Sequence, residues 1–293
     1  MVLGRRGEVD MAAQIIDGKA IAKDIRRELK AEVTAFTEAH GLQPLLAAVL
    51  VGDDPASHVY VRNKQRACRQ TGMGSRLVEL PAETTEATLR TIIEDLNRDP
   101  AVHGILVQSP LPRHLDEFGL VRRVDPLKDV DCFHPENVGL LAAKRARFQA
   151  CTPAGVIELL DRSGVDLVGA SAVVLGRSMI VGRPLSLMLT DRHATVTVCH
   201  TRTRDVAAVC AGADVLVAAA GVARLVGAAW VKPGAVVIDV GTNRTEDGGL
   251  CGDVDFDPVS RIAGRITPVP GGVGPMTIAM LMRNVLKAAA LSR

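Results

Sequence analysis

The stretch Ser171-Ala-Val-Val-Leu-Gly-Arg-Ser-Met-Ile-Val-Gly-Arg-Pro184 contains the pattern that decides the fold. Its first residues form a mostly apolar run, as expected for a strand that is buried on both faces of a parallel sheet. Gly176 ends that run, and Pro184 marks the start of a helix, because proline is favoured in the first helical turn. A strand, a glycine-containing turn and a helix N-terminus predict a phosphate-binding turn of Rossmann type.

The spacing of this turn differs from GxGxxG, so a purely structural turn stays an alternative. The next predicted strand, TVTVCH (195–200), is followed by Thr-Arg-Thr-Arg and not by an acid. In Rossmann units an acid at this point binds the ribose of NAD, whereas basic residues accommodate the extra phosphate of NADP. Arg177 and Arg202 follow adjacent strands, and their planar guanidinium groups suit one phosphate. We therefore predict NADP as cofactor, with NAD as the alternative.

Strands and helices alternate on both sides of this stretch, which predicts an α/β fold built from right-handed βαβ units. The rhythm breaks between about 125 and 155, where prolines and turn-forming residues accumulate. We predict two α/β domains with a ligand cleft between them. The first spans 11–150 and includes a C-terminal helix (275–293) that packs back on it; the second, 151–274, is a Rossmann-type NADP-binding domain. Residues 1–10 are predicted to be an N-terminal extension.

The composition excludes several classes of protein. Hydrophobic residues make up 47% of the 293 and charged residues 23%, which is not the signature of disorder. A net charge of +2 and 2% aromatic residues argue against nucleic acid as a partner. No apolar run approaches the ~20 residues of a membrane span. The six cysteines are dispersed without metal-ligand spacing, which predicts no metal and reduced thiols in the cytoplasm.

The only tyrosine, Tyr60, precedes Lys64 by four residues on a predicted helix, so both side chains project from one face. They can form a cleft wall in which a ring covers a flat substrate and a partly desolvated lysine transfers protons. A snorkelling surface pair is the alternative. Gln108 ends the predicted strand GILVQ (104–108), where parallel sheets place ligand-facing residues.

Three carboxylates follow within a few residues of each other, at Asp125, Asp129 and Asp131. They lack the glycine and distal glutamate of a calcium loop, so we predict recognition of an amide-like heterocycle by one or more of them. Further on, PVPGGVGPM (268–276) predicts a rigid loop that permits close backbone approach; a simple helix entry is the alternative.

Together these stretches resemble the bifunctional methylenetetrahydrofolate dehydrogenase/cyclohydrolase family in its bacterial homodimeric form, over about residues 11–290. The resemblance rests on six segments in order: ASHVYVRNK (56–64), GILVQSPLP (104–112), KDVDCFHPENVG (128–139), CTPAG (151–155), GRSMIVGRP (176–184) and PVPGGVGPMT (268–277). It implies oxidation of 5,10-methylenetetrahydrofolate with NADP, hydrolysis of the methenyl product to 10-formyltetrahydrofolate, and a homodimer.

The resemblance also implies a role for each site residue. Lys64 transfers the proton in the cyclohydrolase step, Gln108 tunes that lysine, and Tyr60 stacks on the aminobenzoyl ring. Asp131 holds the pterin, and the loop Pro270, Gly271 and Gly272 closes over the folate. The residues expected at the cofactor are Gly176, Arg177, Ser178, Ile180, Gly182, Pro184, His200, Thr201, Arg202 and Thr242.

This sequence departs from the family pattern at Ser109, Cys132 and Thr201, where the family usually has Leu, Gly and Ser. Thr201 retains a hydroxyl group. Cys132 raises a question of geometry next to Asp131, because a glycine at a bend often adopts positive φ. The alternatives are a dehydrogenase without cyclohydrolase activity, a non-catalytic NADP sensor, and a shikimate-type dehydrogenase.

Overall fold

The computed structural model describes residues 12–293, so the predicted extension at 1–10 lies outside the described residues. The elements of the first half are β1 (Gln14–Ile15), α1 (Gly18–His40), β2 (Leu45–Val51), α2 (Pro55–Thr71), β3 (Gly74–Leu80), α3 (Glu86–Arg98), β4 (Gly104–Val107), α4 (Glu117–Val121) and α5 (Pro135–Ala142).

The elements of the second half are α6 (Cys151–Arg162), β5 (Ser171–Leu175), α7 (Gly182–Asp191), β6 (Thr195–Cys199), α8 (Val206–Ala211), β7 (Val215–Ala218), β8 (Val236–Asp239), β9 (Asn243–Arg244), β10 (Leu250–Cys251), α9 (Phe256–Ser260), β11 (Arg265–Ile266) and α10 (Val273–Leu291).

The first half forms a parallel three-stranded sheet in the order β3-β2-β4. The central strand β2 consists of apolar residues that are almost all buried, as its continuous apolar sequence predicts. Helix α1 buries Ile25, Leu29 and Val33 at helical spacing. Asp17 caps its first turn by accepting a hydrogen bond from the backbone N–H of Ala20 at 2.9 Å. Gly41 ends the helix in the left-handed conformation, where glycine lacks the steric penalty of a side chain.

The second half forms a parallel six-stranded sheet in the order β1-β11-β8-β7-β5-β6. Strands β5 and β6 pair from Ser171 opposite Thr195 to Leu175 opposite Cys199. Their carboxyl ends, and the turns that follow them, therefore lie side by side. The connection from β6 to β7 passes across β5, so the strand order reverses between β5 and β7. Open α/β sheets bind their ligands at such a reversal. The predicted α/β class with two parallel sheets is confirmed.

Both chain ends connect the two halves, but the sequence indicated this for the C-terminal end alone. Gln14 and Ile15 pair with Arg265 and Ile266 at the edge of the second sheet, although the prediction placed 11–150 in the first unit. A two-residue strand has no periodicity from which its partner can be read. At the other end, α10 packs against α1, α2 and α6, in agreement with the predicted return of this helix to the first unit.

The contacts of α10 include a specific polar one. Asn284, which is buried, donates from Nδ2 to the backbone oxygens of Val130 at 2.7 Å and of Gln149 at 2.9 Å. These two bonds fix the segment that carries Asp131 against the C-terminal helix. Within residues 12–293, no helix combines the length and the apolar character that crossing a bilayer requires.

Candidate active site

Lys64 and Gln108 meet at the carboxyl edge of the first sheet. Lys64 lies on α2, which Asp54 caps by accepting hydrogen bonds from the N–H and the hydroxyl group of Ser57, both at 2.8 Å. Gln108 follows β4 and is 7% exposed. The ammonium group of Lys64 donates to Oε1 of Gln108 at 2.9 Å. A charged donor makes this a stronger bond than one between neutral groups.

The amide of Gln108 is fixed on its other side as well. Its Nε2 donates to the backbone oxygen of Ser109 at 2.6 Å, so Oε1 is the atom that faces Lys64. Ser109 in turn donates from Oγ to Oε1 of Glu117 at 2.5 Å, and the N–H of Leu111 reaches the other oxygen at 3.4 Å. The hydroxyl group of Ser109, which replaces the usual leucine, thus ties the loop after β4 to helix α4.

Tyr60 lies one helical turn before Lys64 on α2, and its side chain is 49% exposed. The two residues share a face of the helix because they are four positions apart. Half of the ring surface is free to contact another molecule, while the lysine below it is half-buried. The arrangement therefore has the form of the wall that the sequence predicts.

The three aspartates of the 125–131 segment have different surroundings. Asp129 is buried and accepts hydrogen bonds from the N–H groups of Phe133 and His134 and from Nδ2 of Asn137, at 3.2, 2.8 and 2.8 Å. Asp125 accepts from the N–H of its neighbour Leu127 at 2.8 Å. Both carboxylates thus satisfy the local backbone, which makes them poorly suited to ligand recognition.

Asp131 is the aspartate of this segment on which the charge of Lys64 acts. Burial raises the pKa of its carboxyl group, and the positive charge of Lys64 opposes that shift. The thiol of Cys151, at the start of α6, also interacts with this carboxyl group. A partly buried carboxyl group under the influence of a cation can pair with the amide-like edge of a heterocycle.

Cys132 adopts φ of +63°, so the bend after Asp131 does require the left-handed conformation. A side chain in this region costs roughly 1–2 kcal/mol relative to glycine. Its Sγ lies 3.4 Å from the backbone oxygen of Phe148, and its side chain is 2% exposed. Burial raises the pKa of this thiol to about 12. The bend therefore forms with cysteine, and the buried sulfur packs where glycine would leave space.

The turn between β5 and α7 brings backbone groups very close together. Gly176 has φ of +127°, and a Cβ atom there would lie 2.1 Å from the backbone oxygen of Ala219. A Cβ atom at Gly182 would lie 2.2 Å from the oxygen of Gly176. Ser178 accepts from the N–H of Val181 at 3.1 Å. The turn therefore needs glycine at both positions, and it leads directly into the N-terminus of α7, the kind of helix end that binds phosphate.

The turn after β6 lies beside this one, because the N–H of Gly176 donates to the oxygen of Cys199 at 2.9 Å. Its shape is set at His200, whose N–H donates to Oγ1 of Thr203 at 2.9 Å and whose Nδ1 accepts from the N–H of Arg202 at 3.1 Å. Several predicted cofactor residues are exposed at these two turns: Arg177, Ser178, Ile180, Thr201 and Arg202. Pro184 is buried in the first turn of α7, and Thr242 is exposed after β8.

The loop from Pro270 to Gly272 lies against the start of α1. The N–H of Lys19 donates to the oxygen of Gly271 at 2.8 Å, and a Cβ atom at Gly18 would lie 1.9 Å from the oxygen of Gly272. Gly271 has φ of +114°, which favours glycine. Pro270 is exposed at the tip of this loop.

Sequence reasoning missed several residues that support this site. Glu117 and Asn284 come from distant parts of the chain, and no local spacing marks them. Cys151 begins the segment CTPAG, but its contact with Asp131 has no sequence signal. No group of three or more His, Cys, Asp or Glu side chains with the arrangement of a metal site occurs among residues 12–293.

A parallel sheet with a phosphate-binding turn, joined to a second α/β unit that carries a lysine, a glutamine and a carboxyl group, defines a two-domain nucleotide-dependent enzyme. Two family models match the chain: "Tetrahydrofolate dehydrogenase/cyclohydrolase, catalytic domain" over residues 16–131, and "Tetrahydrofolate dehydrogenase/cyclohydrolase, NAD(P)-binding domain" over residues 150–293. The chain belongs to the tetrahydrofolate dehydrogenase/cyclohydrolase family.

Individual relatives agree with this assignment. The bifunctional protein FolD of Magnetococcus marinus is 57% identical over 277 residues, which is 94% of this chain and 97% of that protein. The bifunctional FolD of Campylobacter jejuni has a similar structure, with a TM-score of 0.93, 46% identity, and coverage of 96% of this chain and 99% of that one. The FolD of Trypanosoma brucei, solved with NADP cofactor and an inhibitor, gives a TM-score of 0.92 at 41% identity, with coverage of 96% and 99%.

Proposed function

We propose that this enzyme oxidises 5,10-methylenetetrahydrofolate to the 5,10-methenyl form with NADP and then hydrolyses that product to 10-formyltetrahydrofolate. Both steps belong to one-carbon metabolism. The observation that carries the proposal is the bond between Lys64 and Gln108, with the carboxyl group of Asp131 beside the lysine, in a chain of this family. A non-catalytic nucleotide sensor has no use for such a cluster.

The folate lies in a cleft between a first domain at 11–150, completed by the C-terminal helix, and a Rossmann-type domain at 151–274. Asp131 pairs with the pterin, because its environment leaves the carboxyl group free of the local backbone bonds that occupy Asp129. The half-exposed ring of Tyr60 stacks on the aminobenzoyl group. Pro270, Gly271 and Gly272 cover the substrate, and the two glycines allow the backbone to come close to it.

The hydrolytic step needs one positioned proton-transfer group, and Lys64 supplies it. Water attacks the methenyl carbon, and the bond from that carbon to the ring nitrogen N5 breaks. Lys64, after losing a proton to solvent, accepts the first proton of the attacking water and passes it to N5 as the bond to N5 breaks. The second proton leaves to solvent, and the oxygen of the water becomes the formyl oxygen. Gln108 holds the lysine amine in place through Oε1, since its own Nε2 is fixed on the oxygen of Ser109.

The residues of the second sheet fit a dinucleotide. A Cβ atom at Gly176 or Gly182 would collide with backbone. Because glycine has no Cβ atom, the turn stays compact and the pyrophosphate can approach the start of α7. Arg177 and Arg202 take the extra phosphate of NADP. Ser178, Ile180, Pro184, His200, Thr201 and Thr242 complete the contacts. Bound NADP supplies the hydride acceptor, and the protein places it against the methylene carbon.

The homodimer of the resembling family is proposed for this chain as well. Strand β6 is the edge of the six-stranded sheet, and Thr195, Thr197 and Val198 on it are exposed. An exposed edge strand offers unpaired backbone groups to a second copy. Light scattering is expected to give twice the chain mass of 31.0 kDa; a value near 31.0 kDa at working concentration contradicts the dimer. A cytoplasmic location is proposed because all six cysteines are free thiols.

The activity is tested by following the NADPH band and the methenyl band together after mixing enzyme, 5,10-methylenetetrahydrofolate and NADP. NADPH is expected to rise while the methenyl compound stays low, because the second activity removes it. A parallel reaction with NAD measures the cofactor preference. Enzyme that binds NADP but produces no reduced cofactor from either nucleotide contradicts the proposal and favours the sensor.

A further inference from the structure

Two buried aspartates outside the catalytic cluster join the loops at the carboxyl ends of β7 and β8. Asp253 is fully buried, and its Oδ2 accepts hydrogen bonds from the N–H groups of Ala220 at 2.6 Å and Gly221 at 2.8 Å. Its Oδ1 accepts from Nδ2 of Asn243 at 2.9 Å. One carboxyl group therefore ties the loop after β7 to the residue that follows Thr242.

The second aspartate, Asp239, ends β8 and is 3% exposed. Its Oδ1 accepts from the N–H groups of Gly241 and Asp253, both at 2.9 Å, and its Oδ2 accepts from the N–H of Val254 at 2.9 Å. It thus fixes the backbone on which Asp253 is carried. The spacing is tight, because a Cβ atom at Gly252 would lie 1.8 Å from Oδ2 of Asp239.

The loops held by this pair lie next to the phosphate-binding turn. The oxygen of Ala219, one residue before the Asp253 contacts, is the atom that a Cβ at Gly176 would strike. In the strand order β8-β7-β5-β6, the residues that read the adenosine ribose follow β6, on one side of β5. A dinucleotide that crosses the switch point at β5 must place its nicotinamide half on the other side, over β7 and β8.

We propose that Asp253 is a positioning residue for the nicotinamide half of the cofactor, holding residues 219–221 and 241–243 in the form that receives it. Asp239 holds Asp253 in place by accepting hydrogen bonds from the N–H groups of Asp253 and Val254. The inference rests on the proposed NADP-dependent activity and extends it to residues that do not touch the reacting atoms. A carboxyl group that served only the fold would affect both halves of the cofactor, and both activities, to the same degree.

The experiment compares Asp253→Asn, Asp253→Ala and Asn243→Ala with the wild-type enzyme. Three ligands or reactions are measured for each: calorimetric binding of NADP, calorimetric binding of adenosine 2′,5′-bisphosphate, and hydrolysis of added 5,10-methenyltetrahydrofolate. The bisphosphate reports the adenosine half alone, and the hydrolysis needs no nicotinamide. Asp253→Asn keeps one oxygen for Ala220 and Gly221, and rotation of the Asn243 amide restores the third bond.

Asn243→Ala is expected to weaken NADP binding about tenfold and to raise KM for NADP, with bisphosphate binding and methenyl hydrolysis within twofold of wild type. Asp253→Ala is expected to have a larger effect of the same kind, and Asp253→Asn to recover most of the loss. If Asp253→Ala does not fold, Asn243→Ala and Asp253→Asn still test whether Asp253 positions the nicotinamide half of the cofactor.

Equal losses for NADP and the bisphosphate, or NADP binding that stays unchanged in Asn243→Ala, overturn the positioning role while leaving the proposed function intact. A wild-type enzyme without any dehydrogenase activity contradicts the proposed function instead.

Discussion

Replacement of Lys64 by methionine is expected to separate the two activities. Methionine keeps the length and apolar stem of the side chain but has no amine, so the proton-transfer group is lost while α2 stays packed. General acid–base catalysis contributes roughly 10²- to 10⁴-fold, or about 2.7–5.4 kcal/mol of barrier. Methenyl hydrolysis should fall by that factor. Hydride transfer needs no proton-transfer group and should change little.

A lysine-to-arginine variant separates charge from proton transfer. Arginine keeps the positive charge that acts on the carboxyl group of Asp131, but its guanidinium group does not give up a proton near neutral pH. Lys64→Arg should therefore bind folate better than Lys64→Met and hydrolyse the methenyl compound as poorly. Gln108→Ala removes one charge-assisted bond of about 1.5–3 kcal/mol, which predicts a loss of roughly 10- to 150-fold.

The assay is single-turnover decay of methenyl absorbance, with NADPH formation from the methylene compound measured in parallel. Lys30→Met is the matched control, because Lys30 is exposed on α1 and has no part in the site. It should retain both activities. Hydrolysis by Lys64→Met within threefold of wild type refutes the reasoning, since another group must then move the proton.

Three other perturbations follow from the same contacts. Arg202→Ala should weaken NADP binding at least tenfold more than NAD binding, because only NADP carries the phosphate that the guanidinium group takes; equal losses by calorimetry contradict this. Glu117→Ala should release the hydroxyl group of Ser109 and lower methenyl hydrolysis about twofold to tenfold, with dehydrogenation unchanged; matched losses in both rates exclude a link to Lys64. Asp131→Asn should raise the melting temperature at pH 7, because burial raises the pKa of the wild-type carboxyl group and its ionisation there disfavours the fold. That gain should shrink as the pH falls through the ordinary pKa of an aspartate, about 3.9, because the unfolded-state carboxyl group then becomes protonated as well. A gain that does not depend on pH is the contrary result.

Elements with continuous apolar sequence or strong caps could be predicted from the sequence within one or two residues. Strands β4 and β6 begin at the predicted residues, Gly104 and Thr195, and each ends one residue before its predicted end. Short elements could not be predicted. Strand β1 has two residues, and the β9–β10 hairpin has strands of two residues each, so neither carries a measurable periodicity.

Some features of the candidate site could likewise be predicted from the sequence, and others could not. The family resemblance implies the link between Lys64 and Gln108, whereas the residue pattern alone places Gln108 only at the ligand-facing end of a strand. The pattern also does not separate Asp129 from Asp131, since their difference depends on Asn137 and on backbone N–H groups further along the chain. The same holds for Asp239 and Asp253, whose donors come from three separate loops.

The N-terminal strand joins the second sheet and the C-terminal helix packs on the first half, and this exchange has a consequence for protein engineering. A fragment that stops near residue 150 lacks α10, so it exposes the apolar surface that α10 covers on α1 and α2. The complementary fragment lacks β1, which forms the edge of its sheet. Neither half is therefore structurally complete when the chain is cut near residue 150, although each half matches its own family model. A chimera that exchanges the nucleotide-binding half between relatives must keep the first strand with its new sheet and the last helix with its old one. Its crossover points should therefore lie near residues 17 and 272 and between α6 and β5, because α6 also packs against α10 and should stay with it.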